Sequence, residues 1–204
     1  MSSRSVAFVG VLILVLAAAV GGCGSQKAPA ETAIAAVETA FAAVQSEAVT
    51  YLPEQAKGVA DAIAGAKEAF GKGDYQAALT AAQALPAKIS ELSTAVAAKK
   101  TEMTAAWTNL SASMPKVVEV IQSRIGILSK SKALPAGLDA AKFDQAKSGL
   151  ASLTSAWSEA TTAFGAGNLT EAVAKAGSAK SQAVTVMNLL NMQVPAALQG
   201  AGVK

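Results

Sequence analysis

The side chain best suited to covalent chemistry in this sequence is Cys23, the only cysteine among 204 residues, and the chain contains no histidine. A thiol can act as a nucleophile, bind a metal or carry a covalent modification. Without histidine, the commonest general base and the usual imidazole metal ligand are both missing. Cysteine–histidine catalysis and the Glu-x-x-His pairs of helical di-iron sites are therefore excluded.

The residues before Cys23 have the layout of an export signal. Arg4 supplies a positive charge, residues 6–20 form an uncharged apolar run, and Gly21 and Gly22 are small. This order is typical of a secretory signal and is too short for a comfortable membrane span. The alternative is an ordinary signal or an uncleaved anchor in which Cys23 stands by chance.

The last four residues of this stretch, Val20-Gly21-Gly22-Cys23, resemble the lipobox of bacterial lipoproteins. In that family the cysteine sulfur is joined to a diacylglycerol, the chain is cut just before it, and the new amine is usually acylated. The resemblance implies a signal peptide over residues 1–22 and a lipidated Cys23 with a short tether over residues 23–30. It also implies a cell-envelope location, anchored to a membrane and facing the periplasm or the exterior, and on the outer membrane in a Gram-negative cell.

The composition beyond the signal argues against nucleic-acid binding. From Cys23 onward, 16 basic residues stand against 14 acidic ones, and aromatic residues make up 4% of the chain. Nucleic-acid binding needs a strong basic excess or aromatic stacking platforms. No second apolar run reaches the roughly 18 residues of a membrane-spanning helix.

The pattern from Glu31 onward is helical. Apolar residues recur at spacings of three and four, which predicts an all-α bundle of about six helices over residues 31–193 and a flexible tail over residues 194–204. Pro86 is expected to kink a long helix that starts at Asp74, and a new helix is expected to start near Met114. Because Val118, Val120 and Ile127 lie off the main stripe, that helix is expected to be buried on more than one side.

Two similar segments indicate an internal repeat. The segment "AFGKGDYQAALTAA" starts at Ala69, and "AFGAGNLTEAVAKA" starts at Ala163, 94 residues later. Each has a glycine suited to a left-handed helix end, followed by an N-cap residue, Asp74 or Asn168. We therefore expect an antiparallel bundle built from two similar helical hairpins, with Phe70 and Phe164 buried at the corners.

The hairpin corner resembles the middle of a tetratricopeptide repeat, although a 94-residue spacing does not fit the tandem 34-residue period of those arrays. Residues 23 to about 98 are more similar to alanine-rich envelope lipoproteins of a domain-of-unknown-function class, through Cys23, "TYLPEQA" from Thr50 and "GDYQAA" from Gly73. That family has no settled activity, so the resemblance implies a location and a fold but no mechanism.

Few other residues suggest a site. Ser129 and Lys132 fit the S-x-x-K pattern of some acyl-enzymes, but we expect a solvated loop there. Trp107 and Trp157 either line a ligand or partner site or pack in the core. A mildly basic stretch either faces phospholipid or lipopolysaccharide headgroups or is simply solvated; its residues are Lys116, Arg124, Lys130 and Lys132.

The sequence therefore predicts a non-enzymatic scaffold or adaptor, without metal or cofactor, that is bound to a membrane through its lipid and contacts an unknown envelope protein or cell-wall component. One alternative is a carrier that binds an apolar ligand between the helices near Trp107 and Trp157. Another is covalent attachment to peptidoglycan through Lys204, because the ending "GAGVK" resembles the murein lipoprotein, whose terminal lysine is joined to the wall peptide.

Overall fold

The computed structural model describes residues 26–199, and this part of the chain is helical without any strand. Six helices of at least nine residues and one short helix follow one another: α1 Lys27–Tyr51, α2 Pro53–Gly71, α3 Tyr75–Gln83, α4 Leu85–Ser129, α5 Ala140–Gly165, α6 Leu169–Leu189 and α7 Ala196–Gln199. The expected all-α class with about six helices is confirmed. Over the described residues, no helix is both long enough and apolar enough to cross a membrane.

The buried side chains form two cores that follow each other along α4. The first core is built by α1, α2, α3 and the start of α4 as far as Val96. The second begins at Met103 of α4 and continues with α5, α6 and α7. Tyr51, at the end of α1, packs against both cores. We call these two parts the first unit and the second unit; they lie end to end.

The helix α4 joins the two units without interruption. It contains 45 residues, which corresponds to a length of about 68 Å at 1.5 Å per residue. It packs against α1 and α2 in the first unit and against α5 and α6 in the second. The helix expected to start near Met114 thus begins at Leu85, and it connects the two hairpins.

The two hairpin corners share the same local structure, as the repeat predicts. Gly73 and Gly167 have φ angles of 85° and 81°, in the left-handed region that favours glycine. The next residue, Asp74 or Asn168, accepts a hydrogen bond from the backbone N–H three residues further on, at 3.1 Å in both cases. We call these segments the first corner, residues 69–75, and the second corner, residues 163–169.

Two prolines behave differently from the expectation. Pro86 does not kink a helix, because α3 ends at Gln83 and Pro86 lies in the first turn of α4, where a missing N–H removes no intrahelical bond. Pro115 lies inside α4 and does not start a new helix. Met114 and Ile121 beside it are fully buried, and this packing outweighs the hydrogen bond that Pro115 cannot donate.

The ends of the helical region also differ from the expected range of 31–193. The first helix starts four residues earlier, and Ala30, expected in the tether, is fully buried. Leu198, expected in a flexible tail, is buried in the second core, and the Gln199 side chain donates a hydrogen bond to the Val194 carbonyl at 2.7 Å. Apolar contact of Leu198 with the second core is what orders this segment.

The distal part of α4 is buried on one face only, which corrects the expectation of burial on several sides. Val120 and Ile127 are 44% and 60% exposed, while Ile121, Ile125 and Leu128 are buried. This part of α4 packs against α5, α6 and α7 through its buried stripe, so its outer face stays uncovered. The β-branched residues on that face therefore do not mark a second buried side.

A glycine substitution tests how closely α5 and α6 pack. A Cβ atom at Gly149 would lie 2.6 Å from Cγ2 of the buried Val186, which is stiff at χ1. We expect Gly149→Ala to lower the free energy of unfolding by about 1–3 kcal/mol, as overpacking usually does. Gly65→Ala is the matched control: it meets nothing within 4 Å, so the better helix propensity of alanine should stabilise by about 1 kcal/mol. Urea denaturation measures both, and equal effects would contradict the close packing.

Candidate functional site

Two of the predicted site residues, Cys23 and Lys204, lie outside the described residues. Lipidation at Cys23 and wall attachment at Lys204 therefore stay predictions. The other two, Trp107 on α4 and Trp157 on α5, are described and lie together at the corner end of the second unit.

The two tryptophans belong to a three-ring stack. The centroid of the Trp107 ring is 5.7 Å from that of Trp157 and 4.4 Å from that of Phe164, and the ring planes are inclined by only 15° and 13°. A planar ligand between two parallel rings needs about 7 Å between them, twice a carbon–carbon contact distance. The stack therefore leaves no space for an apolar ligand between the two indoles.

The burial of the stack corrects one expectation. Trp107, in the middle, is 7% exposed, but Phe164 is 45% exposed and is not buried at its corner. One face of Phe164 rests on Trp107, and the corner is too open to cover the other face. Its counterpart Phe70 is half-buried and meets Tyr75 edge to face at 5.1 Å between centroids.

A group of polar residues lies where the two units meet. The Lys100 ammonium group donates a hydrogen bond to the Glu47 carboxylate at 2.6 Å and lies 5.9 Å from the centroid of the Tyr51 ring. The hydrogen bond to Glu47 and the opposite charge of that carboxylate raise the pKa of Lys100 above its ordinary value. The pair links the end of α1 to α4. Lys100 lies in α4 between Val96, the last residue of the first core, and Met103, the first residue of the second core.

An open groove of about 690 Å³ runs along α4 beside this pair. Three threonines on its wall donate their hydroxyl hydrogens to carbonyl groups one turn earlier in α4, at 2.8–2.9 Å. The hydroxyl oxygens therefore face the groove with free acceptor lone pairs and with methyl groups. The lining residues are Glu47, Ala97, Lys100, Thr101, Thr104, Ala105, Thr108 and Asn109.

A smaller open groove of about 350 Å³ lies at the second corner, between α5 and the start of α6. Glu159 on its wall accepts hydrogen bonds from Lys175 and Ser155, and these hydrogen bonds lower the pKa of the Glu159 carboxyl group. The same interaction raises the pKa of Lys175. The groove thus carries a carboxylate held in its ionised form.

Sequence reasoning missed both grooves and the junction, although one signal pointed to the junction. Lys99 interrupts the apolar stripe of α4, and the change from the first core to the second occurs there, between Val96 and Met103. An interruption of an otherwise continuous stripe is the pattern expected where a helix changes its packing partners.

The remaining predicted features occupy the distal half of the second unit. Lys116, Lys130 and Lys132 are exposed and Arg124 is half-buried, so the basic stretch forms part of the outer face of α4 and the following loop. The Ser129 hydroxyl donates to the Ile125 carbonyl at 2.8 Å.

Within residues 26–199, no cluster of three or more acidic or thiol side chains is placed to hold a metal ion. Comparison of the chain with protein-family models, with curated proteins and with solved structures finds no match.

Proposed function

We propose that this chain is a lipid-anchored protein of the bacterial cell envelope that acts as a non-enzymatic scaffold or adaptor. The observation that carries the proposal is the order of the N-terminal residues, in which Val20-Gly21-Gly22-Cys23 directly follows a charged start and an apolar run. On this proposal the partners are a membrane, reached through the lipid, and a protein or polymer of the envelope.

The anchor has a simple physical basis. Each buried methylene group of an acyl chain contributes about 0.8 kcal/mol, so two or three chains on one residue hold a protein at a bilayer where a single chain is marginal. Modification of Cys23 also removes the only thiol of the chain. The mature protein then has no free cysteine to react in an oxidising compartment.

The arrangement of the two units supports the scaffold part of the proposal. Because the two small cores share one continuous helix, exposed helix faces are distributed along the length of the molecule. Both grooves are open to solvent. Helix faces and open grooves are suited to contact with extended or large partners.

The test is metabolic labelling with an alkyne fatty acid. Cys23→Ser removes the sulfur that would receive the lipid, so we expect complete loss of label, and release from membranes or accumulation of an unprocessed precursor. Ser25→Ala, two residues further on, is the matched control and should be labelled like the wild type. Equal labelling of Cys23→Ser and wild type would contradict the proposal.

A further inference from the structure

We propose that the first corner lies against the surface of the phospholipid bilayer and that the second unit stands away from it, with the distal end of α4 furthest out. This orientation rests on the proposed lipidation of Cys23. It adds which surface of the protein meets the membrane and which surfaces stay available to other partners.

The start of α1 lies at the corner end of the first unit. Ala30 is fully buried in a cluster with Ala66, Ala78 and Ala82, and the rings of Phe70 and Tyr75 pack against the same cluster. Ala66 comes from the end of α2, and the other two alanines come from α3. The first turn of α1 and the first corner therefore lie at the same end of the first unit.

The tether between Cys23 and α1 is short. Only four peptide units separate Cys23 from Lys27, where α1 begins. At 3.3–3.6 Å per residue, a fully extended chain of this length spans at most about 14 Å. A lipid on Cys23 would therefore hold the corner end of the first unit next to the headgroups, whatever conformation the tether takes.

The surface at the corner end of the first unit suits contact with lipid headgroups. Its charges nearly balance. Lys72 pairs with Glu68 at 2.5 Å and Lys67 with Glu38 at 2.6 Å, Lys27 and Glu31 lie near the start of α1, and the Asp74 carboxylate accepts a hydrogen bond from the Ala77 N–H. Beside them lie the half-buried rings of Phe70 and Tyr75. Tyrosine is favoured at membrane–water interfaces, where one end of the ring is apolar and the other is wet. A contact made by such a surface depends little on salt or on anionic lipid.

The second corner lacks these features. Leu169 occupies the position equivalent to Tyr75, and Phe164 stacks on Trp107. The 25 residues of α1 place this corner about 37 Å from the first, and the remaining length of α4 places Ser129 about 75 Å away. The exposed Lys116, Lys130 and Ile127 would then face the envelope space and not the bilayer to which the chain is anchored.

The test uses the full-length lipidated protein in phosphatidylcholine–phosphatidylglycerol vesicles that carry a rhodamine headgroup lipid. A lipidated Cys23 has no free thiol, so one introduced cysteine is the only site for a fluorescein donor. Lys72→Cys marks the first corner, and Ala166→Cys marks the equivalent residue of the second corner. Ser131→Cys marks the distal end, and all three positions are exposed. Gln76→Cys, exposed and directly next to the first corner, repeats the first-corner measurement with the Lys72–Glu68 pair intact.

We expect energy transfer to the vesicle to be high from the two first-corner positions, lower from residue 166 and at least fivefold lower from residue 131, with no change at high salt. Equal transfer from all positions, or the reverse order, would overturn the orientation while leaving the anchor in place. A protein that does not float with the vesicles and reacts with maleimide at Cys23 would overturn the anchor, and the orientation with it.

Discussion

Trp107→Ala is expected to lower the free energy of unfolding by about 3–5 kcal/mol, the range for truncating a buried aromatic side chain. The Trp107 ring is covered on one side by Trp157 and on the other by Phe164, so its loss leaves a gap and breaks two stacking contacts. It also lies where α4 enters the second core, beside Met103. Urea denaturation of a soluble form starting at residue 24, followed by circular dichroism, measures the loss.

Phe164→Ala is the control for this prediction. It removes a ring from the same stack, but Phe164 is 45% exposed, so the expected loss is about 1–2 kcal/mol, mostly from one stacking contact and partial burial. If Phe164→Ala destabilised the protein as much as Trp107→Ala, this result would contradict the exposure of Phe164 at the edge of the stack.

Thr104→Pro is expected to destabilise the protein by about 3 kcal/mol or more and to separate the unfolding of the two units. Thr104 is exposed and lies in α4 directly after Met103, the first residue of the second core. Proline at this position removes the backbone hydrogen bond to the carbonyl of residue 100 and clashes with the preceding turn. The disturbed turn, residues 100–103, spans the boundary between the segment of α4 that belongs to neither core and the start of the second core.

Two probes distinguish the units in this experiment. Both tryptophans of the chain lie in the second unit, so their fluorescence reports on that unit, whereas far-ultraviolet circular dichroism reports on both. We expect the two probes to give the same midpoint in the wild type and different midpoints in Thr104→Pro.

Ala140→Pro is the matched control. Ala140 is the first residue of α5, it is exposed, and Asp139 before it is already extended, with a ψ of 172°, as proline requires. We expect a change below about 0.5 kcal/mol, since this N–H needs no intrahelical partner. Coincident midpoints in Thr104→Pro, with stability close to that of Ala140→Pro, would mean that α4 does not couple the units.

The parts of the fold that sequence predicted well are those set by neighbouring residues. Gly73 and Asp74 specify the first corner through a left-handed φ and a side-chain cap, and Gly167 and Asn168 specify the second in the same way. These signals do not depend on tertiary contacts, and so the repeat was visible in the sequence.

The prolines show where local signals fail. Pro86 and Pro115 carry the same chemistry, but one begins a helix and the other lies within it. The difference comes from burial: Met114, Val117 and Ile121 pack in the second core on both sides of Pro115 and keep the helix continuous. Such packing depends on which helices meet, and apolar periodicity alone does not reveal it.

The contacts within the aromatic stack could likewise not be predicted from the sequence. Trp107, Trp157 and Phe164 each lie on an apolar stripe, which predicts burial but not which rings touch. The contact depends on the register between α4 and the hairpin of α5 and α6. That register depends on the packing of buried residues from different helices, such as Met114 and Ile121 of α4 and Leu153 of α5, and no single segment encodes it.

Small-angle X-ray scattering of the soluble form tests the end-to-end arrangement of the two units most directly. A rod about 75 Å long and 20 Å wide has a radius of gyration of about 23 Å. A compact domain with the same number of residues would have a value of about 16 Å. We expect a radius of gyration of about 23 Å, together with a forward scattering intensity that corresponds to a monomer. A monomer with a radius of gyration near 16 Å would contradict two units in line on one continuous helix.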